Sequence, residues 1–560
     1  MFSNQVGYFW YLSPYLSCSH NFTFRMAVLN KGKSLFPFWG TSINLIMGLD
    51  PLGLQTTSEA TYSSLFPGIS NLTNRLRYYG FYCWLLDFYF QREKKGNSTE
   101  QYRFIRRAEL MIAIMMQSQR KNVQQITGSN FATNLIATAE DDYFDLADGA
   151  DRDDPSKTTY WKYPSGAFGQ YYSGAMQTLA LINTAINEDG DIIYTISQPH
   201  QRQKVSGVQL AEAFDSTLTH EIKELFYTNI KTGKLYHSDI PELIAYYSID
   251  VINPDSDEWD LYAEMLLDKD EPSQEIEELF TFSRRETILS LLRLASLNDN
   301  KYDWYQFLLS CYLKKLGNDS EPASETHIGW YCYQLNEYWQ FACGAIFWAV
   351  LQNLYHYHQD QYLPHFVNEL SAEIYDEICR GINVNPEDSV IISDVVARMP
   401  EGKTEEEIKE SIETRASDNP IIAAKNGFLL LFQIYRNNKE QLHPLKEFMS
   451  RKQIIRDGNM VDGIMTIHTA KKEELKSFIE QFILRNIIYR HQMVAIRKMG
   501  NGTQATHKFI IEEQYIRFIE IFPPRNTSPR MFAMQNIMHD LQVIDEKNML
   551  SQLCQKLLSE

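Results

Sequence analysis

Near the end of the chain, the run RNIIYRH places Arg485 six residues before His491. Imidazole is the side chain whose ordinary pKa lies closest to neutrality, so His491 could take a proton from a hydroxyl group. A guanidinium beside it would grip a phosphate with two parallel hydrogen bonds and stabilise charge developing on it. Together they could move a proton beside a bound phosphate. On a straight helix a six-residue step turns the chain by about 600°, which leaves the two side chains about 120° apart. A dimer or a helix irregularity would have to bring them together. In the competing reading His491 and its neighbours Arg490, Arg497 and Lys498 form one basic helix face that docks a partner or a phosphate backbone.

RNIIYRH resembles the Rx4–6H motif of the HEPN ribonucleases, helical proteins that cut RNA without metal. The likeness covers seven residues. It implies catalytic roles for Arg485 and His491.

A second place for chemistry lies between Gly48 and Arg77. A loop rich in Gly, Pro, Ser and Thr delivers Arg75 and Arg77 to the start of an aromatic helix. Helix N-termini favour anions, so this entry could hold a phosphate. Arg103, Arg106 and Arg107 fall on the first turns of the next helix. The five arginines form either a phosphate-binding face or solvated cations paired with nearby acids.

Other candidates are weaker. His356 and His358 are two apart, so on a helix they point nearly opposite ways, and they read as helix-end histidines rather than metal ligands. The acidic run Asp141–Asp154 lacks the calcium-loop spacing and its closing Glu, and reads as a solvated loop. The chain carries no GxxxxGK[ST], HExxH or GxSxG, and no GxGxxG after a strand. No metal and no cofactor are expected.

The elements that must position these residues are helical. At 560 residues with 44% hydrophobic and 22% charged side chains, the chain suits a soluble globular protein of three or four domains. The formal charge of -18 argues against non-specific coating of nucleic acid. Two regions are nevertheless basic. Residues 71–120 hold nine Lys/Arg against four Asp/Glu, and residues 443–530 hold fifteen against nine, in an otherwise acidic chain. No run approaches the ~18 apolar residues of a membrane span. Seven scattered cysteines without a CxxC suit a reducing cytoplasm, with buried free thiols. The first 25 residues lack signal-peptide features, and Met26 opens a cleaner start.

The expected fold is mainly α: a multi-domain helical protein with small β-hairpins. Residues 1–30 read as an N-terminal extension and 31–135 as an aromatic helical domain, its second helix capped by Thr99. Residues 136–220 give helix, hairpin, then helix, the order of a winged-helix module. Their helices carry almost no Lys or Arg, which favours a structural or partner-binding role over DNA contact. Residues 221–382 form a central helical domain containing a long, buried aromatic helix. Residues 383–420, charged and proline-bearing, read as a flexible insert or linker. Residues 421–560 form a C-terminal helical domain, in which 471–500 is one long amphipathic helix.

DPLGLQ (Asp50–Gln55), LFPGISNLTNRLRYYGFY (Leu65–Tyr82) and RHQMVAIRKMGNG (Arg490–Gly502) loosely resemble uncharacterised helical proteins of bacterial phage-defence gene clusters. The resemblance implies a cytoplasmic subunit working beside an ATPase or nuclease and holding RNA or DNA. Three functions stay open. The first is a non-catalytic binding subunit that contacts nucleic acid or a partner protein through Arg75, Arg77, Arg103, Arg106, Arg107, Arg490, Arg497 and Lys498. The second is a ribonuclease using Arg485 and His491. The third is a purely protein-binding scaffold. A homo-oligomer is compatible with each, and no membrane is expected.

Overall fold

The computed structural model describes residues 50–93, 97–120, 125–151, 159–187, 190–199, 205–268, 282–316, 323–415, 419–456, 458–499, 506–527 and 530–558. The expected N-terminal extension lies outside them. The protein is mainly helical, and among the described residues three small antiparallel sheets accompany the helices. It divides into two compact units, each assembled from separate pieces of chain.

The first unit takes the described residues of 66–303 and 530–558. Its centre is the aromatic helix Arg77–Glu93, in which Tyr78, Tyr79, Phe81, Tyr82, Trp84, Phe88 and Tyr89 are all buried. The rings meet others edge-on or tilted, as aromatic quadrupoles prefer: Phe81 and Trp84 against Phe214 and Phe226, and Tyr82 against Phe168 and Tyr172. The next helix, Ser98–Gln119, starts one residue before the expected cap. Asn97, not Thr99, accepts the Glu100 N–H.

Beyond it the helix–hairpin–helix order is present, with shifted boundaries. A π-turn at Phe168–Tyr172 runs into the helix Ser173–Thr178, and Ala180 then takes a left-handed conformation that ends it. Ile182–Ile186, whose sequence continues the apolar run of that helix, is instead a strand paired with Ile192–Ile196. Gly207–Ser216 follows behind a reciprocal Ser206–Gln209 capping box. The acidic run contributes two elements: Tyr143–Asp145 pairs with Lys234–Tyr236, and Asp145 caps the short helix Leu146–Ala150.

The second unit takes the described residues of 50–65 and 304–527. Its axis is the helix Glu325–Tyr357, capped by Ser324 and buried on every side over most of its length. Such a helix must be surrounded, and Pro420–Asn438, Gln55–Leu65, Leu442–Arg451 and Glu405–Arg415 all pack against it. The segment 383–420, expected as an insert or linker, contributes the helices Ile392–Arg398 and Glu405–Arg415, whose Ile392, Val395, Ile408 and Ile412 are buried. Within the expected entry loop, Gln55–Leu65 is a helix, and the Asp50 carboxylate accepts the Gln55 N–H at its start. The amphipathic run after 471 folds as Leu475–Phe482, a π-turn at Ile483–Tyr489, and Arg490–Met499. Phe509–Glu512 and Tyr515–Phe518 then form a hairpin. Its two turn residues, Glu513 and Gln514, both have positive φ, the geometry that matches strand twist.

Candidate binding site

In the first unit, four of the five arginines brace the fold. Arg75 pairs with Asp540 at 2.6 Å. Arg77 is buried, bonded to Glu258 and to the carbonyls of Tyr246 and Ser248. Arg106 is buried among the carbonyls of Ala150, Trp161 and Tyr163 and the Thr159 hydroxyl. Arg107 holds Asp151 with two nitrogens and the carbonyls of Ile230 and Lys231 with a third. Arg103 is the more exposed, with 39% of its side-chain surface in solvent, and also reaches Asp151, at 3.7 Å.

The anion site expected at the start of the aromatic helix is occupied from within. The Asp540 carboxylate accepts the Leu76 N–H at 2.8 Å and takes Arg75 with its other oxygen. Burial raises the Asp540 pKa to about 6 against the lowering influence of Arg75. Glu109 plays the same part for the π-turn, accepting the N–H groups of Ala167 and Phe168 and the phenols of Tyr82 and Tyr160. Burial raises its pKa as well.

In the second unit, the helix Arg490–Met499 turns its polar groups onto the loop that opens the described chain. Arg490 donates to the carbonyls of Leu52 and Gly53, and Lys498 donates to that of Asp50. His491 is fully buried between Phe347 and Phe509. Its Nε2 accepts the Lys508 N–H at 2.9 Å, so the proton sits on Nδ1, which donates to the Pro51 carbonyl at 2.9 Å. Burial lowers its pKa to about 4, and nearby Lys498 and Lys508 reinforce the shift. An imidazole fixed this way has no free lone pair for a substrate proton. Arg485 is exposed, on the π-turn. The helix irregularity that could unite the pair is thus present, yet it leaves one member in solvent and the other in the core. Arg497 is half-buried.

No family model, curated protein or solved structure matches this chain.

The outward side of the same helix is apolar. Tyr489, Met493 and Ile496 fall at i, i+4 and i+7 and are 46%, 55% and 62% exposed. Val494 and Ala495 face the core. The sequence shows the basic residues of this stretch but not which side of the helix they take. The period-3.6 pattern alone cannot distinguish the buried apolar stripe from an exposed one. His356 bonds to the Gln352 carbonyl, and His358 closes the long helix in a left-handed conformation, both as helix-end histidines. Among the described residues no group of three or more His, Cys, Asp or Glu could hold a metal, and no helix is long and apolar enough to cross a membrane.

Proposed function

We propose that this protein is a non-catalytic binding subunit, and that the outward face of Arg490–Met499 with the turn before it docks a partner protein. The observation that carries the reading is the two-sidedness of that helix. Its inner cations and His491 are engaged in fixing the 50–53 loop, while Tyr489, Met493 and Ile496 stand in solvent beside Arg485. An i, i+4, i+7 apolar stripe is how a helix presents itself to a partner's groove. The loose likeness to phage-defence proteins suggests an ATPase or nuclease subunit as that partner, in the cytoplasm. The ribonuclease alternative would require His491 to leave both of its hydrogen bonds.

The test is a photo-crosslinking amino acid at Tyr489 in otherwise wild-type and in Met493→Asp/Ile496→Asp protein. Both substituted sites are exposed, so the fold should keep its stability within about 0.5 kcal/mol. Crosslinks to one partner surface, lost in the double variant, are expected. A partner complex that survives the double substitution would remove the basis of the proposal.

A further inference from the structure

The described chain begins beside the docking face, and the sequence that leads into it is apolar. The Asp50 carbonyl accepts Lys498 Nζ, two positions beyond Ile496 on the same helix. Immediately before Asp50, residues 35–49 read LFPFWGTSINLIMGL, without a charged side chain. Trp39, Ile43 and Ile46 recur within them at i, i+4 and i+7. That is also the spacing of Tyr489, Met493 and Ile496, the stripe that stands in solvent. The reach is sufficient. Ile43 lies seven positions before Asp50, and at ~3.3 Å per residue an extended chain carries it up to ~23 Å away. The path round a helix ~10 Å across, from its inner side to its outer side, is only ~16 Å.

We propose that residues 39–47 of this same chain cover the stripe of Tyr489, Met493 and Ile496 in the free protein, so that a partner binds by displacing them. The displacement rests on the docking reading given above; the covering itself does not. Trp39, Ile43 and Ile46 supply one apolar body for each exposed side chain, and the segment has no charge to desolvate. Three half-exposed side chains make a weak contact, too weak to gather a second copy from dilute solution. A segment attached through Gly48 and Leu49 differs, because its effective concentration at the stripe is of about millimolar order. The same weakness lets it yield. A partner that buries an interface of ordinary size offers far more area than three side chains do. Until then the stripe is shielded from indiscriminate apolar contacts.

The experiment places a photo-crosslinking amino acid at Tyr489 in the purified full chain, with no partner present. Isotopically light and heavy copies are mixed, irradiated and mapped by mass spectrometry. Crosslinks to the peptide spanning 39–47 are expected, light to light and heavy to heavy only. In Trp39→Asp/Ile43→Asp their yield should fall about tenfold or more, since two apolar anchors become charges that the stripe cannot solvate. Both substituted positions lie outside the described core, so the melting temperature should stay at that of the unsubstituted chain. Light-to-heavy crosslinks would mean that a second copy is the occupant and would overturn the proposal. So would crosslinks confined to other segments, no crosslink at all, or an undiminished yield in the double variant. None of these outcomes involves the partner. The docking reading fails separately, if the partner complex survives Met493→Asp/Ile496→Asp.

Discussion

Replacing Glu337 by Gln should change how the stability of the protein depends on pH. Glu337 is buried in the second unit, where its carboxylate accepts Ser58 Oγ at 2.7 Å, Gln340 Nε2 at 2.8 Å and the Thr527 N–H at 2.7 Å. Those donors favour the charged form, but desolvation outweighs them and raises the pKa from 4.5 to about 7. Between these values the folded chain keeps a proton that the unfolded chain releases. Stability from this residue is therefore full below pH 4.5 and is lost as pH rises through 7. A gap of about 2.5 pH units corresponds to ~3 kcal/mol. His491 has the opposite sign. Its pKa falls from 6.5 to about 4, so the unfolded chain binds the proton that the folded one refuses, and stability rises with pH across that window. From pH 4.5 to 6.5 the two slopes largely cancel in the wild type. Urea unfolding of the full chain and of Glu337→Gln, followed by tryptophan fluorescence at half-unit steps from pH 4.5 to 8, reads the difference directly. The variant should gain on the wild type by about 1.4 kcal/mol per pH unit up to pH 7 and by nothing beyond. The offset between the curves includes the mismatch of an amide with three donors, so only the slope is diagnostic. A difference independent of pH, or one that shrinks as pH rises, would refute the reasoning, because it would mean the donors outweigh burial.

Three further outcomes follow from single contacts. Gly166 adopts φ +71°, and a Cβ there would fall on Glu109 Oε2, so Gly166→Ala should destabilise the first unit by ~2–4 kcal/mol, read from its thermal unfolding. Arg77→Ala should cost ~3–5 kcal/mol in chemical denaturation because it leaves Glu258 buried without its cation. Arg77→Lys should recover only part of this, since an ammonium cannot span Glu258 and two carbonyls as the fork does. His491→Ala should cost ~2–4 kcal/mol while Arg485→Ala stays within about 0.5 kcal/mol, both by urea unfolding. A catalytic pair would instead lose RNA cleavage equally in both variants, with little change in either stability.

What the sequence reveals here is governed by range. The aromatic helix Arg77–Glu93 and the long helix Glu325–Tyr357 are legible because an uninterrupted series of rings on several faces has no other stable place than a core. The helix Gln55–Leu65 is not legible, since QTTSEATYSS contains weak helix formers. It is secured by burial of Thr57, Ser58 and Thr61 and by the bond from Ser58 to Glu337, 279 residues away. The same holds for the arginines. Nothing near Arg75 announces Asp540, 465 positions later, and nothing near Arg77 announces Glu258. A cluster of cations is therefore visible in the sequence as a charge but not as a brace. The second strand of the hairpin Phe509–Phe518 hides for a local reason: the turn before it is Glu-Gln, without the Asn or Gly that usually marks positive φ.

The interleaving of the two units bears on how the chain is made. A ribosome delivers residues in order, yet the first unit needs Asp540 to meet Arg75, and the second needs Arg490, His491 and Lys498 to close over Pro51 and its neighbours. Neither unit can therefore finish while the nascent chain is still short. At 5–20 residues per second, the aromatic helix waits roughly 20–90 seconds for its anionic cap to be synthesised. During that interval its rings are candidates for chaperone capture, and a fragment cut between the units' central segments, near residue 303, would inherit two unfinished cores rather than one complete one.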